Sequence, residues 1–184
     1  GTVGTFKILR ESRKDSHPSP VPCFLIRHPS VGPILVDTGL HPSISSDPSK
    51  NLGRMGTNFY KPELGPGEDA SSQLRDKGID PASIRLVILT HLHIDHASAI
   101  ADFPDSTLIV TAKEWEAATS GAMPFREGYR REQFDYAFDY RTVSFDTDDV
   151  NSYASFGRTI DLFGDGSIRL ASTSGHTSGH QSVI

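Results

Sequence analysis

Three histidines and a carboxylate fall inside six residues of this chain: His91, His93, Asp95 and His96, within Thr90-His91-Leu92-His93-Ile94-Asp95-His96. Imidazoles clustered with a carboxylate are the donor set that a borderline cation such as Zn²⁺ prefers. The run before them, Ile84-Arg85-Leu86-Val87-Ile88-Leu89, is short, apolar and partly β-branched, and reads as a buried strand. The run after them, Ala97-Ser98-Ala99-Ile100-Ala101, is small and compatible with a helix. The histidines therefore sit where a strand exits into a turn that opens a helix. Residues two apart in an extended exit point the same way, so His91 and His93 converge on one point. Asp95 and His96 aim at a neighbouring point as the chain turns. A polar surface turn would not need an apolar strand to deliver it. The spacing also departs from the zincin helix, whose two histidines are four apart with Glu after the first.

A second histidine pair begins 80 residues beyond His96. Residues 159–163 and 167–171 read as strands around the turn Gly164-Asp165-Gly166. The second of these delivers Ser172-Thr173-Ser174-Gly175-His176-Thr177-Ser178-Gly179-His180. Its glycines let backbone come close to a neighbour. His176 is the natural third ligand beside His91 and His93. Alone this motif says little; paired with the first it is a strong sign of one metal site.

The elements that must position these residues alternate strand and helix. Thr5–Leu9, Cys23–Arg27 and Pro33–Val36 read as strands, the first two joined by a polar loop. The third runs into Asp37-Thr38-Gly39, where Asp37 either caps the turn or orients a ligand imidazole. Glu68 to Lys77 reads as a helix closed by Gly78. Thr107–Val110 is another apolar strand, and Thr111-x-x-Glu114 reads as a capping box opening a helix that stops at Gly121. This alternation is that of an α/β layered fold. Two stretches stand out as loop or lid-like insertions, 41–67 and 121–157. The first holds Met55, Phe59 and Tyr60, which either fold over a site or pin the loop to the body. His41 reads as a surface residue. In the second, the aromatics from Phe125 to Phe145, including Tyr129, Phe134, Tyr136, Phe138 and Tyr140, are mixed with charges. An amphipathic helix packed on the body is the favoured reading there, a wall for an apolar substrate group the other.

Composition narrows the function. The chain has 184 residues, enough for a real core. Its formal charge is −5 and it shows no basic stripe, which argues against nucleic acid as a partner. No apolar run approaches the ~20 residues of a membrane helix, so no membrane partner is expected. The first residues show no basic and apolar leader, and a cytoplasmic location is favoured while the compartment stays open. Cys23, the only cysteine, lies in an apolar run and reads as an inert thiol, leaving histidine and carboxylate as the metal donors.

The pattern His91-x-His93-x-Asp95-His96 resembles the signature of the metallo-β-lactamase superfamily. Leu35-Val36-Asp37-Thr38-Gly39 resembles its first motif, and Gly175-His176-Thr177-Ser178-Gly179-His180 its Gly-His-Thr-x-Gly-His pattern. The resemblance implies one α/β domain over residues 1–184, an αββα sandwich. Members of the superfamily continue past this point with a bridging Asp and a final His, so the second half is expected to be incomplete. It implies His91, His93, Asp95, His96 and His176 as metal ligands, for one or two Zn²⁺ ions with Fe or Mn as alternatives. Asp37 would orient a ligand, and His180 would be structural or stand behind the ligands. The implied activity is a metal-dependent hydrolase in which metal-bound hydroxide attacks a lactone, ester or thioester carbonyl. Asp95 would hold that hydroxide or a second metal, and pass a proton to the leaving group. Gly78-Ile79-Asp80 through the histidine cluster to Trp115-Glu116-Ala117-Ala118 looks most like the quorum-quenching N-acyl-homoserine lactonases. The partner is then a small-molecule substrate, and the oligomer is open, with a homodimer as one arrangement. Against this stands a non-catalytic metal-binding or interaction module, or a di-iron redox domain of the same fold.

Overall fold

Strands that are apolar on both faces need a layer on each side. The computed structural model, which describes residues 2–8, 19–121, 124–134 and 138–184, supplies both layers. The chain opens with β1 (Thr2–Ile8), β2 (Ser19–Pro22), β3 (Phe24–His28) and β4 (Gly32–Val36). Helices α1 (Ser43–Ser46) and α2 (Pro48–Phe59) lead to β5 (Tyr60–Glu63) and α3 (Ala70–Asp76). Next come β6 (Leu86–Ile88), the one-turn helix α4 (Ile94–Ala97), β7 (Thr107–Thr111) and α5 (Ala112–Ser120). The rest is β8 (Tyr140–Val143), β9 (Asn151–Tyr153), β10 (Phe156–Asp161), β11 (Arg169–Ser172) and β12 (Gln181–Val183).

A five-stranded sheet runs in the order β3-β4-β6-β7-β8, parallel from β4 onward with β3 antiparallel at its edge. A four-stranded antiparallel sheet runs β12-β11-β10-β9, and a small third sheet pairs β2-β1-β5. Leu35, Val87 and Leu108 are in register across the large sheet. They join one buried cluster with Ala70 and Leu74 of α3 and Ala118 of α5. Their neighbours Ile34, Ile88 and Ile109 point the other way, into a cluster with Ile168 and Leu170 from the second sheet. The alternation of the strand pleat thus places helices on one face of the large sheet and a second sheet on the other. This is the α/β layered arrangement expected. A further cluster, Val21, Leu40, Ile44, Leu52, Leu64 and Ile94, packs α1 and α2 beside α4.

Several expectations shift. Within residues 41–67 the structure places α1, α2 and β5 instead of a continuous loop. The helical period was hidden because α2 breaks at Gly53, whose φ of 70° and ψ of 161° are not helical. Between Phe125 and Phe145 no long amphipathic helix forms among the described residues. Short 3-10 turns at Pro124–Glu127 and Arg131–Gln133 give way to β8. The aromatics there serve different cores: Phe134 packs with the helix-side cluster and Phe145 with the inter-sheet cluster. Tyr136 lies outside the described residues, as do Leu9 and most of the polar loop after it. The Gly164-Asp165-Gly166 connection is longer than a tight turn, since the strands stop at Asp161 and resume at Arg169. The Asp161 carboxylate takes the Gly164 and Gly166 N–H groups at 2.9 and 2.8 Å, and so supplies a side-chain partner where strand pairing would continue.

Ile88 is fully buried between the two sheets. Truncating it to alanine leaves a cavity, and Ile88→Ala is expected to cost about 2–5 kcal/mol. Denaturant unfolding would show a lower midpoint at unchanged slope; an unmoved midpoint would mean that the layers do not share this core.

Candidate metal centre

The large sheet delivers the first histidines. Leu89 N–H donates to Ile109 C=O at 2.9 Å, carrying the ladder one residue past β6. His91 follows, 2% exposed. His93 then takes the N-cap position of α4, where His96 and Ala97 N–H groups donate to its carbonyl. The second sheet delivers the others from the end of β11, and the loop is closed by Thr173 N–H donating to His180 C=O at 3.1 Å. One ligand nitrogen each from His91, His93 and His176 lies within 4.8 Å of the others. His93 Nδ1 and His176 Nε2 face each other at 3.1 Å. His91 is the middle of the group: its ring centroid is 4.6 Å from His93, 4.1 Å from His96, 4.8 Å from His176 and 5.1 Å from His180.

A chain of hydrogen bonds sets the tautomer of His91. Asp37, 4% exposed, accepts Thr90 N–H at 2.7 Å and the Thr90 hydroxyl at 2.8 Å. That hydroxyl has spent its proton on Asp37 and is left to accept from His91 Nδ1, 3.0 Å away. The lone pair of His91 then sits on Nε2, which is buried and has no hydrogen-bond partner among the described residues. A bare buried nitrogen facing two other imidazoles is what a cation would satisfy. Burial, then the neighbouring His96, His93 and His176, hold the His91 ring far below the ordinary imidazole range. Burial and His176 lower His93 to about 4. Both rings are therefore neutral at pH 7, as ligands must be. The donor set fits a tetrahedral cation with a position left open.

Asp95 and His96 stand beside this trio. His96 Nδ1 lies 2.8 Å from Asp37 Oδ2 and its Nε2 lies 3.4 Å from Asp95 Oδ2. Burial opposes a charged ring here, but the bonds to Asp37 and Asp95 outweigh it and push His96 up to about 10. Burial likewise works against the Asp95 carboxylate, yet its bond to His96 leaves it below the usual carboxylate range. His180 Nδ1 bonds to Thr173 Oγ1 at 2.8 Å. His41 turns to α1, 2.8 Å from Ser43 Oγ and 3.4 Å from Asp102. Burial pushes the Cys23 thiol up, as an inert thiol requires.

Sequence reasoning passed over four residues. Thr90 links Asp37 to His91, and its only signal was its place before the first histidine. Glu114 forms half a capping box: its N–H donates to Thr111 Oγ1 at 3.1 Å, but its carboxylate turns away to the histidine loops, accepting Leu92 N–H at 2.9 Å and Thr177 O–H at 2.6 Å. Tyr129 forms a bridge with His93, ring centroids 5.1 Å apart, and was one aromatic among many. Thr177 adjoins His176.

Residues 17–184 match the metallo-beta-lactamase superfamily, and the chain belongs to it. It is 34% identical over 166 residues to the N-acyl homoserine lactonase AttM of Azorhizobium caulinodans, covering 90% of this chain and 59% of that protein. The chain thus spans about three-fifths of the length of that curated relative. Among solved structures, a B. thuringiensis AiiA mutant with N-decanoyl-L-homoserine bound superposes with a TM-score of 0.75 at 24% identity, over 99% of this chain and 67% of that one. An N-acyl homoserine lactone hydrolase with N-hexanoyl-L-homoserine at its catalytic metal centre gives 0.74 at 24% identity, with the same coverage. These two show the shared fold.

The ring environments set a pH dependence for the metal-free protein. His93 has a folded-state value near 4 against 6.5 unfolded, so the unfolded chain binds more protons between them. Its contribution to stability is present above about pH 6.5 and lost as pH falls towards 4. His96 has the opposite sign: its contribution is full below 6.5 and lost as pH rises through about 10. Thermal unfolding of the metal-stripped protein, scanned from pH 7 to 4, is expected to show a falling midpoint whose slope is shallower in His93→Gln, with His91 keeping the remainder. Equal slopes in both proteins would mean that the His93 ring is not held neutral.

Proposed function

We propose that this chain is the metal-binding part of a hydrolase that opens lactones, with N-acyl homoserine lactones as the substrate class and Zn²⁺ as the metal. The observation that carries this reading is the convergence of His91, His93 and His176 on a point where His91 Nε2 is buried and bare. The AttM relative adds the substrate class.

His91, His93 and His176 hold the metal; Asp95 is a donor for a second ion, which His96 joins only on giving up the proton that Asp37 and Asp95 hold on it. The metal, when bound, lowers the pKa of water and polarises the substrate carbonyl. Asp37, through Thr90, keeps His91 in the tautomer that presents Nε2. Asp95, kept ionised by His96, takes the proton of the attacking water as its oxygen bonds to the carbonyl carbon. The ring C–O bond breaks and the same carboxyl returns the proton to the ring oxygen, giving a hydroxy acid. Of the two stretches 41–67 and 121–157, the second places Gly128 and Tyr129 against the His93 ring. Gln133 Nε2 donates to Asn51 Oδ1 at 2.7 Å and ties the two stretches together. Gly53 keeps φ positive and leaves room for the Arg130 guanidinium, which a Cβ there would meet at 2.6 Å.

The test is acid release from an N-acyl homoserine lactone by the zinc-loaded protein. Asp95→Asn is expected to lower kcat by roughly 10²–10⁴ with metal still bound, the range for losing a general acid–base. His91→Ala is expected to lose the metal. A zinc-loaded protein that cleaves no lactone, ester or thioester would sink the hydrolase reading and favour the non-catalytic one.

A further inference from the structure

Among the described residues, Glu114 is the one fully buried carboxylate that faces both histidine loops at once. It stands in the first turn of α5, 0% exposed. Oε1 accepts the N–H of Leu92, the residue between His91 and His93, at 2.9 Å. Oε2 accepts the hydroxyl of Thr177, the residue after His176, at 2.6 Å, and the N–H of Gly179 at 3.3 Å. Burial and this carboxylate together push up the phenol of Tyr129, whose ring lies against His93. Each oxygen thus serves a different loop, and the Leu92 and Thr177 contacts each lie one residue from a ligand.

The neighbourhood is built for this contact. The Thr111 hydroxyl donates to Gly179 C=O at 2.7 Å, so the second loop is pinned to the start of α5 as well. A Cβ at Gly179 would collide with the Glu114 backbone nitrogen, so glycine permits the approach. The two loops come from different sheets, and beyond the seam where Gln181 N–H donates to Thr90 C=O neither strand ladder sets the distance between them. A carboxylate with one oxygen on each loop does.

We propose that Glu114 is a positioning residue that sets the separation of His91 and His93 from His176, and so the geometry in which the chain holds its metal. The inference rests on the metal-site reading above. It concerns binding geometry and does not depend on the substrate.

Two variants test it. Glu114→Gln keeps the shape, but its amide offers one acceptor oxygen and turns a donor NH₂ towards the other loop. Thr177→Val removes one arm alone. The probe is cobalt(II), titrated into the metal-stripped protein, with affinity and the visible absorption of the bound ion read together. Glu114→Gln is expected to weaken cobalt binding by about 10–100-fold and to alter the spectrum, as loss of a group that orients ligands does. Thr177→Val is expected to show a smaller shift of the same kind. A residue serving only stability would lower the unfolding midpoint of the metal-free protein and leave affinity and spectrum at wild-type values; that result overturns the proposal. Should Glu114→Gln not fold, Thr177→Val decides, and wild-type affinity in it overturns the proposal. A wild type that takes up no cobalt overturns it together with the metal reading. A wild type that takes up cobalt but opens no lactone overturns the hydrolase reading alone, and the two variants still decide Glu114.

Discussion

Two sheets meet at one edge, and Gln181 holds them there. Its backbone N–H donates to Thr90 C=O at 3.0 Å and its side-chain amide to Leu89 C=O at 2.8 Å, with the residue 0% exposed. Those carbonyls belong to the exit of β6, and Gln181 begins β12. Both bonds cross the seam from one residue, so the spacing between the sheets has little freedom there, although Gln181 Oε1 is buried with no partner among the described residues. His91 follows Thr90 directly and His180 precedes Gln181 directly. Fixing the seam therefore sets the two histidine loops facing one another, and the rest of the site grows from that contact.

Electrostatics then sorts imidazoles of one residue type into different states. His91 is surrounded by other imidazoles and little water, so a proton on it would be repelled and poorly solvated. His96, one ring away, lies between Asp37 and Asp95 and keeps its proton. Asp37 acts on both: directly on His96, and on His91 through Thr90. Its backbone has φ of 58°, a conformation that costs most side chains energy but that Asp tolerates. The cost is offset by four contacts: Asp37 N–H to Ile88 C=O, and the carboxylate to Thr90 N–H, the Thr90 hydroxyl and His96.

Much of this was legible in the chain itself. The apolar runs at 33–36, 84–89 and 107–110 became β4, β6 and β7, because a strand covered on both faces leaves a plain hydrophobic signal. Asp69 caps α3 through Ser72 N–H at 2.8 Å, within the helix read from its charges and Gly78. The grouping of His91, His93 and His176 could be named from spacing because two strand exits carried histidine. The stretch from 41 to 67 could not be read, since Ile44, Leu52 and Leu64 are too far apart to form a stripe and meet only by packing on Ile94. The segment from 125 to 145 failed for a related reason: its aromatics divide between two cores, and periodicity assumes one.

The sequence by itself determined which residues can do chemistry and at which ends of which strands they stand. Those facts depend on residue type and on local period, both written along the chain. Only the tertiary structure decided which nitrogen of His91 is free, why His96 is charged, and that Glu114 faces both loops rather than completing its capping box. Each of these follows from burial and from hydrogen bonds between residues 20 to 65 positions apart. Such contacts leave no periodic trace, because they are set by how the two sheets and α5 are brought together.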